Sequence, residues 1–177
     1  MGVILKMSEE LSDISLTLRY GDVKRIKESI KRVLLHSIET EDEIEKRKAR
    51  RIYVSLPYES RSKLKIAALQ ALKEVGYWDP EIFDSVFSLA KNDPDFEVKK
   101  LAEETILSVL EKTKHKKESL MQVLRAINKR EILISPVDAV RASGEETAKK
   151  LLEDETLSKD MRDLIKFCLD TIKGKKE

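Results

Sequence analysis

The sequence predicts an all-α fold of about eight to ten helices in a single domain. Apolar residues recur at helical spacing along almost the whole chain, and residues that start or stop helices separate these segments. The chain of 177 residues contains only five Gly and four Pro, whereas turn-rich all-β folds need many of both. Apolar residues make up 41% of the chain, enough for one hydrophobic core. We therefore expect one domain over residues 1–173 and a frayed tail at 174–177.

Start and stop signals define the first three predicted helices. The first carries the apolar stripe Leu11, Ile14 and Leu18. Gly21 is suited to the left-handed conformation that ends a helix, and Asp22 is suited to cap the next one. The residues TEDE at 40–43 form a capping box for the third helix, in which the Thr and Glu side chains bond to exposed amides. Pro57 requires that helix to stop before it.

The fourth predicted helix has more apolar surface than one stripe. Ser60 or Ser62 starts it, and Gly76 ends it. Its main stripe is Leu64, Ala67, Ala68, Ala71, Leu72 and Val75. Ile66 and Leu69 lie outside that stripe, so the helix must be covered on more than one side. We therefore expect it in the middle of the structure.

The later helices follow with similar signals. Asp79 and Pro80 are a cap and a first-turn proline that open the fifth helix, and Asp95 caps the sixth after a break at 92–94. Apolar stripes mark helical segments at 120–127, at 136–152 with an interruption at Gly144, and from about Ser158 to Ile172. Nearly every part of the chain after the first break is therefore assigned to a helix.

The apolar stripe of the fourth helix repeats farther along the chain. A shift of 34 residues carries Leu64, Ala68, Leu72 and Val75 onto Val98, Ala102, Ile106 and Val109. A further shift of 63 residues reaches Met161, Ile165, Leu169 and Ile172. A repeat of this size is one helical hairpin, which cannot bury its apolar faces alone and therefore stacks on its neighbours. We expect the helices around Leu64 and Val98 to be neighbours, with these stripes buried between them.

The turn between the fifth and sixth helices has a distinctive sequence. An apolar helix opened by Asp79-Pro80 leads to the residues NDPDFEVKKLA at 92–102, where an acidic residue, Val, a basic residue and a small residue open the next helix. This segment resembles a HEAT repeat, and residues 63–75 and 154–165 match more loosely. The resemblance to the HEAT-repeat (armadillo-like) α-solenoid family implies a right-handed superhelix whose second helices line a concave binding face. It also implies binding to macromolecules, which in a minority of the family are nucleic acids.

Charge and amide content predict a heat-adapted protein. Charged residues make up 38% of the chain, and only two Asn and two Gln are present. Networks of ion pairs gain value at high temperature, where amides are chemically labile. We expect a melting midpoint above the range of about 45–65 °C typical of mesophile domains. A midpoint within that range in a calorimetric scan would contradict this expectation.

Net charge, cysteine use and hydropathy predict a cytoplasmic protein with no membrane partner. The 35 Lys and Arg nearly balance 33 Asp and Glu, so no strong overall field attracts nucleic acid or a membrane. The single Cys168 excludes an internal disulfide and fits a reducing compartment. The opening residues MGVILKM are too short for a secretory signal core, and no apolar run reaches the length of a membrane span.

The densest basic run, at 46–65, is the first candidate binding surface. Its candidate residues are Lys46, Arg47, Arg50, Arg51, Arg61 and Lys65. These side chains are of the kind that contact phosphates, and Tyr53 and Tyr58 are possible stacking partners for bases. This interpretation predicts a nucleic-acid-binding protein.

A solvated helix face is the favoured alternative for the same run. Acidic residues at 39–45 precede it, so acid lies at the start of a helix and base toward its end, as the helix dipole favours. Asp42 with Lys46 and Glu43 with Arg47 have the spacing and order of stabilising ion pairs.

Tyr77, Trp78 and Asp79 form the second candidate site, which contains the only Trp. An aromatic pair at a turn is suited to anchor a protein partner, because Trp and Tyr are enriched in binding hot spots. Some HEAT-like DNA glycosylases use aromatic residues and an Asp, which makes a DNA-acting enzyme a further alternative. The favoured interpretation is structural, with Asp79 as a helix cap and Trp78 packed over the preceding helix end.

No catalytic, cofactor-binding or metal-binding residues are predicted. Cys168 lies on an apolar stripe, which indicates a buried and inert thiol. His36 and His115 are isolated, and the sequence contains neither a zinc-ligand pattern nor a phosphate-binding loop. The sequence therefore favours a non-catalytic module that binds another protein, with nucleic-acid binding and a HEAT-fold enzyme acting on DNA as the alternatives.

Overall fold

A computed structural model of the protein describes residues 21–40 and 42–176. In that part of the chain it contains nine α-helices, one short 3-10 turn and no strand, which confirms the all-α prediction. The helices are α1 (Val23–Thr40), α2 (Glu43–Val54), α3 (Ser62–Val75), α4 (Pro80–Asn92), α5 (Phe96–Lys112), α6 (Lys116–Asn128), α7 (Pro136–Ser143), α8 (Glu145–Leu152) and α9 (Lys159–Lys176), and the 3-10 turn is Leu56–Tyr58. The helix predicted around Leu11, Ile14 and Leu18 lies outside the described residues.

The helices alternate between two layers. The odd-numbered helices α1, α3, α5, α7 and α9 pack side by side in chain order, and so do the even-numbered helices α2, α4, α6 and α8. Contacts between α1 and α2, α4 and α5, and α6 and α7 join the layers. The hydrophobic core lies between these helices and runs along the whole described stack.

The stripes that define the repeat lie in adjacent helices of the odd-numbered layer. As predicted, α3 and α5 are direct neighbours. Their stripe residues Leu64, Ala68, Leu72, Val98, Ala102 and Ile106 are all buried. Leu69, outside the main stripe, is fully buried as well, because α3 lies between α1 on one side and α5 on the other. The prediction that this helix is central is confirmed.

Local capping signals explain several of the helix boundaries. Asp79 accepts hydrogen bonds from the backbone N–H groups of Glu81 and Ile82, and Pro80 is the first residue of α4. Asp95 caps α5 in the same way. Gly76 follows α3 in the left-handed conformation, with φ of +73°. These caps satisfy backbone groups that a helix end leaves without partners.

The N-cap of α2 is Asp42, whereas the capping box predicted at 40–43 would place it at Thr40. Helix α1 continues through Thr40, so the Thr40 position belongs to the end of one helix rather than the start of the next. Asp42 caps α2 instead, and its carboxylate accepts the Ile44 N–H at 3.0 Å. Because Asp is as good a cap as Thr, α2 can begin two residues later than the sequence suggested.

Polar side chains from both sides bond to backbone carbonyls of α3. The Tyr53 hydroxyl of α2 donates to the Ala68 carbonyl at 2.6 Å, and the Thr105 hydroxyl of α5 donates to the Leu69 carbonyl at 3.3 Å. Tyr53 is completely buried, and burial raises the pKa of its phenol. Tyr53 is therefore a core residue and cannot stack on a nucleic-acid base.

The segment at 132–152, which includes the predicted interruption at Gly144, does not interrupt the stack of described helices. Ile132 and Ile134 are buried while Leu133 is 89% exposed, so this stretch packs on the core without pairing as a strand. Gly144 separates α7 from α8 with φ of +95°, and each of these helices is only eight residues long. Helix α7 contacts both α5 and α9, and therefore keeps the odd-numbered layer continuous. Among the described residues, no helix is both long enough and apolar enough to cross a membrane.

Candidate functional site

Lys65 lies in the interior, opposite the turn between α4 and α5. Its ammonium nitrogen is 2.7 Å from the Asp93 carboxylate, and the two side chains are 4% and 2% exposed. Asp93 also accepts the backbone N–H of Asp95 at 2.9 Å, which shapes the turn. The structure therefore removes Lys65 from the predicted basic surface, because its charge is neutralised inside the fold.

Arg61 forms an ion pair with a residue of its own loop. Its guanidinium donates to both carboxylate oxygens of Glu59, at 2.8 and 3.1 Å. These hydrogen bonds lower the pKa of the Glu59 carboxyl from its ordinary value of 4.5 to about 2. Arg61 is thus exposed, as predicted for a surface residue, but its charge is already partnered.

We expect Arg61→Ala to raise the Glu59 pKa from about 2 toward 4.5. Because the pKa is lowered in the folded state, the pair stabilises the protein above about pH 4.5, and that contribution is lost as the pH falls toward 2. The Arg61 backbone N–H still donates to Glu59 in the variant, so the recovery is incomplete. An NMR titration of the Glu59 carboxyl measures the shift, with Arg51→Ala as the control. A Glu59 carboxyl that titrates near 4.5 in the wild type contradicts the pairing.

Arg50 connects α2 to the turn that precedes α4. Its guanidinium donates to both oxygens of the Asp79 carboxylate, at distances between 2.8 and 3.2 Å. The same carboxylate caps α4. Both of its oxygens therefore accept hydrogen bonds, and Asp79 is 4% exposed. Tyr77 lies beside this pair and is also buried, and its burial raises the phenol pKa to about 12. The predicted role of Asp79 as a cap is correct, but the sequence did not show its ion pair.

Trp78 is half-buried and is attached to α6. Its indole N–H donates to the Gln122 side-chain oxygen at 3.0 Å, and the Gln122 amide donates to the Pro80 carbonyl at 2.9 Å. The His115 ring is 5.9 Å from the Trp78 ring. Trp78 therefore connects two successive hairpins, a contact that the sequence did not show.

The remaining basic candidates differ in exposure. Arg47 and Arg51 are exposed on α2 and form no ion pair with another described residue. Lys46 is half-buried and lies 3.5 Å from Glu43, one turn away, rather than pairing with Asp42 as predicted. The run at 46–65 is consequently divided among a helix surface, a loop and the protein interior.

A groove of about 580 Å³ collects four of the eight candidate residues. It is lined by the end of α1, the side of α2, the α3–α4 turn and the α5–α6 turn. Its candidate residues are Lys46, Arg50, Tyr77 and Trp78. Lys112, Lys114 and His115 also line it, and Asp79 is the one carboxylate among its described lining residues. We call this site the cationic groove.

The contribution of the α5–α6 turn was not predicted. Lys112, Lys114 and His115 are exposed in this turn, and a repeat of about one hairpin brings it next to the equivalent turn of the preceding hairpin. Lys112 shows this directly, because its ammonium donates to the Lys73 carbonyl at the end of α3 at 2.9 Å. The spacing between the Trp78 turn and the His115 turn, close to the 34-residue repeat, was the available signal.

A second groove of about 470 Å³ begins at Trp78 and follows α4 and α6. It shares Trp78 and Pro80 with the cationic groove, and Phe87, Met121 and Ala126 give it an apolar floor. We call it the central groove. Trp78 thus stands between a basic cavity and an apolar one.

The described residues contain no group of three or more His, Cys, Asp or Glu side chains that could hold a metal ion. Cys168 is buried, as predicted, and burial raises its pKa to about 11. A thiol with a raised pKa is a poor nucleophile near neutral pH. No family model, curated protein or solved structure matches this chain.

Proposed function

We propose that this protein is a non-catalytic interaction module of the HEAT-like α-solenoid type, which binds another protein at the surface around Trp78. The observation that carries the proposal is the position of Trp78, half-buried at the junction of the cationic and central grooves. Trp residues that are partly fixed and surrounded by concave surface are typical of binding hot spots.

The two-layer arrangement of helices supports the solenoid part of the proposal. Each hairpin packs on the preceding and following ones, which is how repeat proteins build extended surfaces. The right-handed superhelix that the resemblance implies remains part of this proposal, but the partner is not placed on the face of the second helices, α3 and α5, that would be concave in that family. The grooves around Trp78 are lined mainly by the even-numbered layer and the turns, so this is where we place the partner.

Pairing within the chain favours a protein partner over a nucleic acid. Binding to a phosphate backbone depends on cations that are available to replace counterions. Arg50, Arg61 and Lys65 are paired with carboxylates inside the chain, which leaves Arg47 and Arg51 as the two candidate residues of the run that are exposed and form no ion pair with a described residue. An enzyme acting on DNA finds no support in Asp79, because both its oxygens already accept hydrogen bonds.

An affinity-capture experiment tests the proposal. Immobilised wild type, Trp78→Ala, Trp78→Phe and the double variant Arg47→Ala/Arg51→Ala are incubated with nuclease-treated lysate of the source cells. We expect a protein retained by the wild type, by Trp78→Phe and by the double variant. Its retention should fall about tenfold or more with Trp78→Ala, because loss of a hot-spot side chain weakens binding by at least about 2 kcal/mol. Circular dichroism of Trp78→Ala verifies that the variant is folded.

Direct titration with nucleic acid tests the alternative that the partner is a nucleic acid. Fluorescence anisotropy with labelled single-stranded DNA, duplex DNA and RNA at low salt should show no tight binding. Tight binding that weakens steeply with salt, and whose salt dependence flattens in Arg47→Ala/Arg51→Ala, would replace the protein partner with a nucleic acid. Arg50 is left unchanged because its removal would unpair the buried Asp79.

A further inference from the structure

A third cavity lies next to the central groove, on the side away from the cationic groove. This distal groove, of about 410 Å³, lies between α6 and the loop that joins α8 to α9. It shares Met121, Arg125 and Lys129 with the central groove, as the central groove shares Trp78 and Pro80 with the cationic one. The three cavities therefore adjoin one another in a row across the even-numbered layer, with Trp78 and Met121 at the two junctions, and we call this row the channel.

The channel has the dimensions of a short extended peptide. It passes from α2 over α4 and α6 to the α8–α9 loop. Packed helices lie about 8–10 Å apart, so three such steps cover roughly 25–30 Å. An extended chain advances at most about 3.3–3.6 Å per residue, so roughly seven to nine residues fill this length.

The charges along the channel are positive at both ends. In the part of the cationic groove that the structure describes, Lys46, Arg50, Lys112 and Lys114 face one carboxylate, that of Asp79. Arg50 pairs with Asp79 and Lys46 with Glu43, whereas the Lys112 ammonium donates only to the Lys73 and Glu74 carbonyls, so its charge is not balanced by a described carboxylate. Among the described residues that line the distal groove are Arg125 and Lys129, and none of them is a carboxylate. Both of these residues are exposed, and neither forms an ion pair with another described residue.

The middle of the channel is lined by apolar and acidic side chains instead. Its floor is formed by apolar side chains that include Trp78, Phe87 and Met121. Carboxylates of Asp84, Glu118 and Glu131 stand at its rim, which disfavours an acidic residue of a ligand at this point. Met and Trp supply adaptable and large apolar contacts, respectively.

We infer that the channel binds an extended segment of a partner protein that carries acidic residues at both ends and apolar residues between them. The inference rests on the proposed function and names the chemistry of the partner. The acidic ends meet the cationic and distal grooves, and the apolar middle covers Trp78 and Met121. Electrostatic complementarity of this kind sets register and specificity.

Selection from a phage-displayed library of random nine-residue peptides tests the inference. Wild-type protein is the bait, and we expect the enriched peptides to carry Asp or Glu near both ends with apolar residues in the centre. Selected peptides without Trp are then titrated against the protein. Trp78 is the only Trp in the chain, so its fluorescence reports whether the channel is occupied.

Charge reversal locates the bound peptide. We expect Arg125→Glu/Lys129→Glu to weaken binding tenfold or more, and a peptide with Lys in place of Glu at one end to bind this variant better than the wild type. Arg47→Glu/Arg51→Glu is the matched control, because it changes the net charge equally outside the channel and should alter affinity less than twofold. Circular dichroism verifies that both double variants are folded.

Three results would overturn the inference: no enriched peptide, enriched peptides without acidic ends, or equal weakening by the channel and control variants. An oligonucleotide that changes Trp78 fluorescence at lower concentration than any selected peptide would also overturn it. If these results occur while a captured protein still depends on Trp78, the inference fails and the proposed function stands. If Trp78→Ala retains the captured proteins as well as the wild type does, the proposed function itself is wrong.

Discussion

Asp93→Asn is expected to lower the free energy of unfolding by about 3–5 kcal/mol, because it leaves the Lys65 ammonium buried without its counter-charge. Lys65 and Asp93 are 2.7 Å apart and almost fully buried, so water cannot solvate the remaining charge. Asn retains an oxygen that can accept the Asp95 N–H, so the turn is preserved. The loss of stability then reports the missing negative charge and not a change in the turn. Lys65→Met should destabilise by a similar amount through the unpaired carboxylate.

Guanidinium unfolding of both single variants and of Lys65→Met/Asp93→Asn measures the effect. The double variant should be less destabilised than the sum of the two single variants, because neither partner is left as an isolated buried charge. Lys63→Met, at an exposed position of the same helix, should change stability by no more than about 0.5 kcal/mol. If Asp93→Asn is no more destabilising than Lys63→Met, the buried pair does not have the role described here.

Gly76→Ala is expected to destabilise the protein by about 2–5 kcal/mol for two separate reasons. Gly76 has φ of +73°, a conformation that side-chain-bearing residues adopt at a cost of roughly 1–2 kcal/mol. A Cβ at this position would also overlap the Cβ of Lys112, which lies at the end of α5. The overlap would push α5 away from α3 and disturb the turns that line the cationic groove.

A double-mutant cycle separates the two contributions. In a Lys112→Gly background the overlapping atom is absent, so Gly76→Ala should be less costly than in the wild type. Gly174→Ala is the control for the chemical change alone, because nothing lies within 4 Å of its added Cβ and the position is helical. Replacing this helical Gly should be neutral or stabilising by up to about 1 kcal/mol. An equal cost of Gly76→Ala in both backgrounds would exclude the steric contribution.

The helices were predictable because their signals are local. Asp79 with Pro80 and the left-handed Gly76 act within one turn of the chain, and the structure shows them as the sequence predicted. The sequence placed the cap of α2 at Thr40 rather than at Asp42 because both residues are good caps. The choice between them depends on where α1 ends, which no local pattern determines.

The candidate site was predicted only in part, since its charges are distributed by packing. A basic run looks the same in sequence whether its members face solvent or the interior. Lys65 is paired with Asp93, 28 residues away, and Arg50 with Asp79, 29 residues away, and both pairs depend on helices that meet only in the folded stack. The α5–α6 turn entered the cationic groove for the same reason.

By itself, the sequence determined the all-α class, the main repeat and the buried stripes of α3 and α5. These follow from periodicity and caps, which act through neighbouring residues and the exclusion of apolar surface from water. Only the tertiary structure decided which cations are neutralised, which turns converge around Trp78 and where the channel runs. Such features depend on distances between residues that are remote in sequence, and the one-dimensional pattern of charges and apolar residues does not contain those distances.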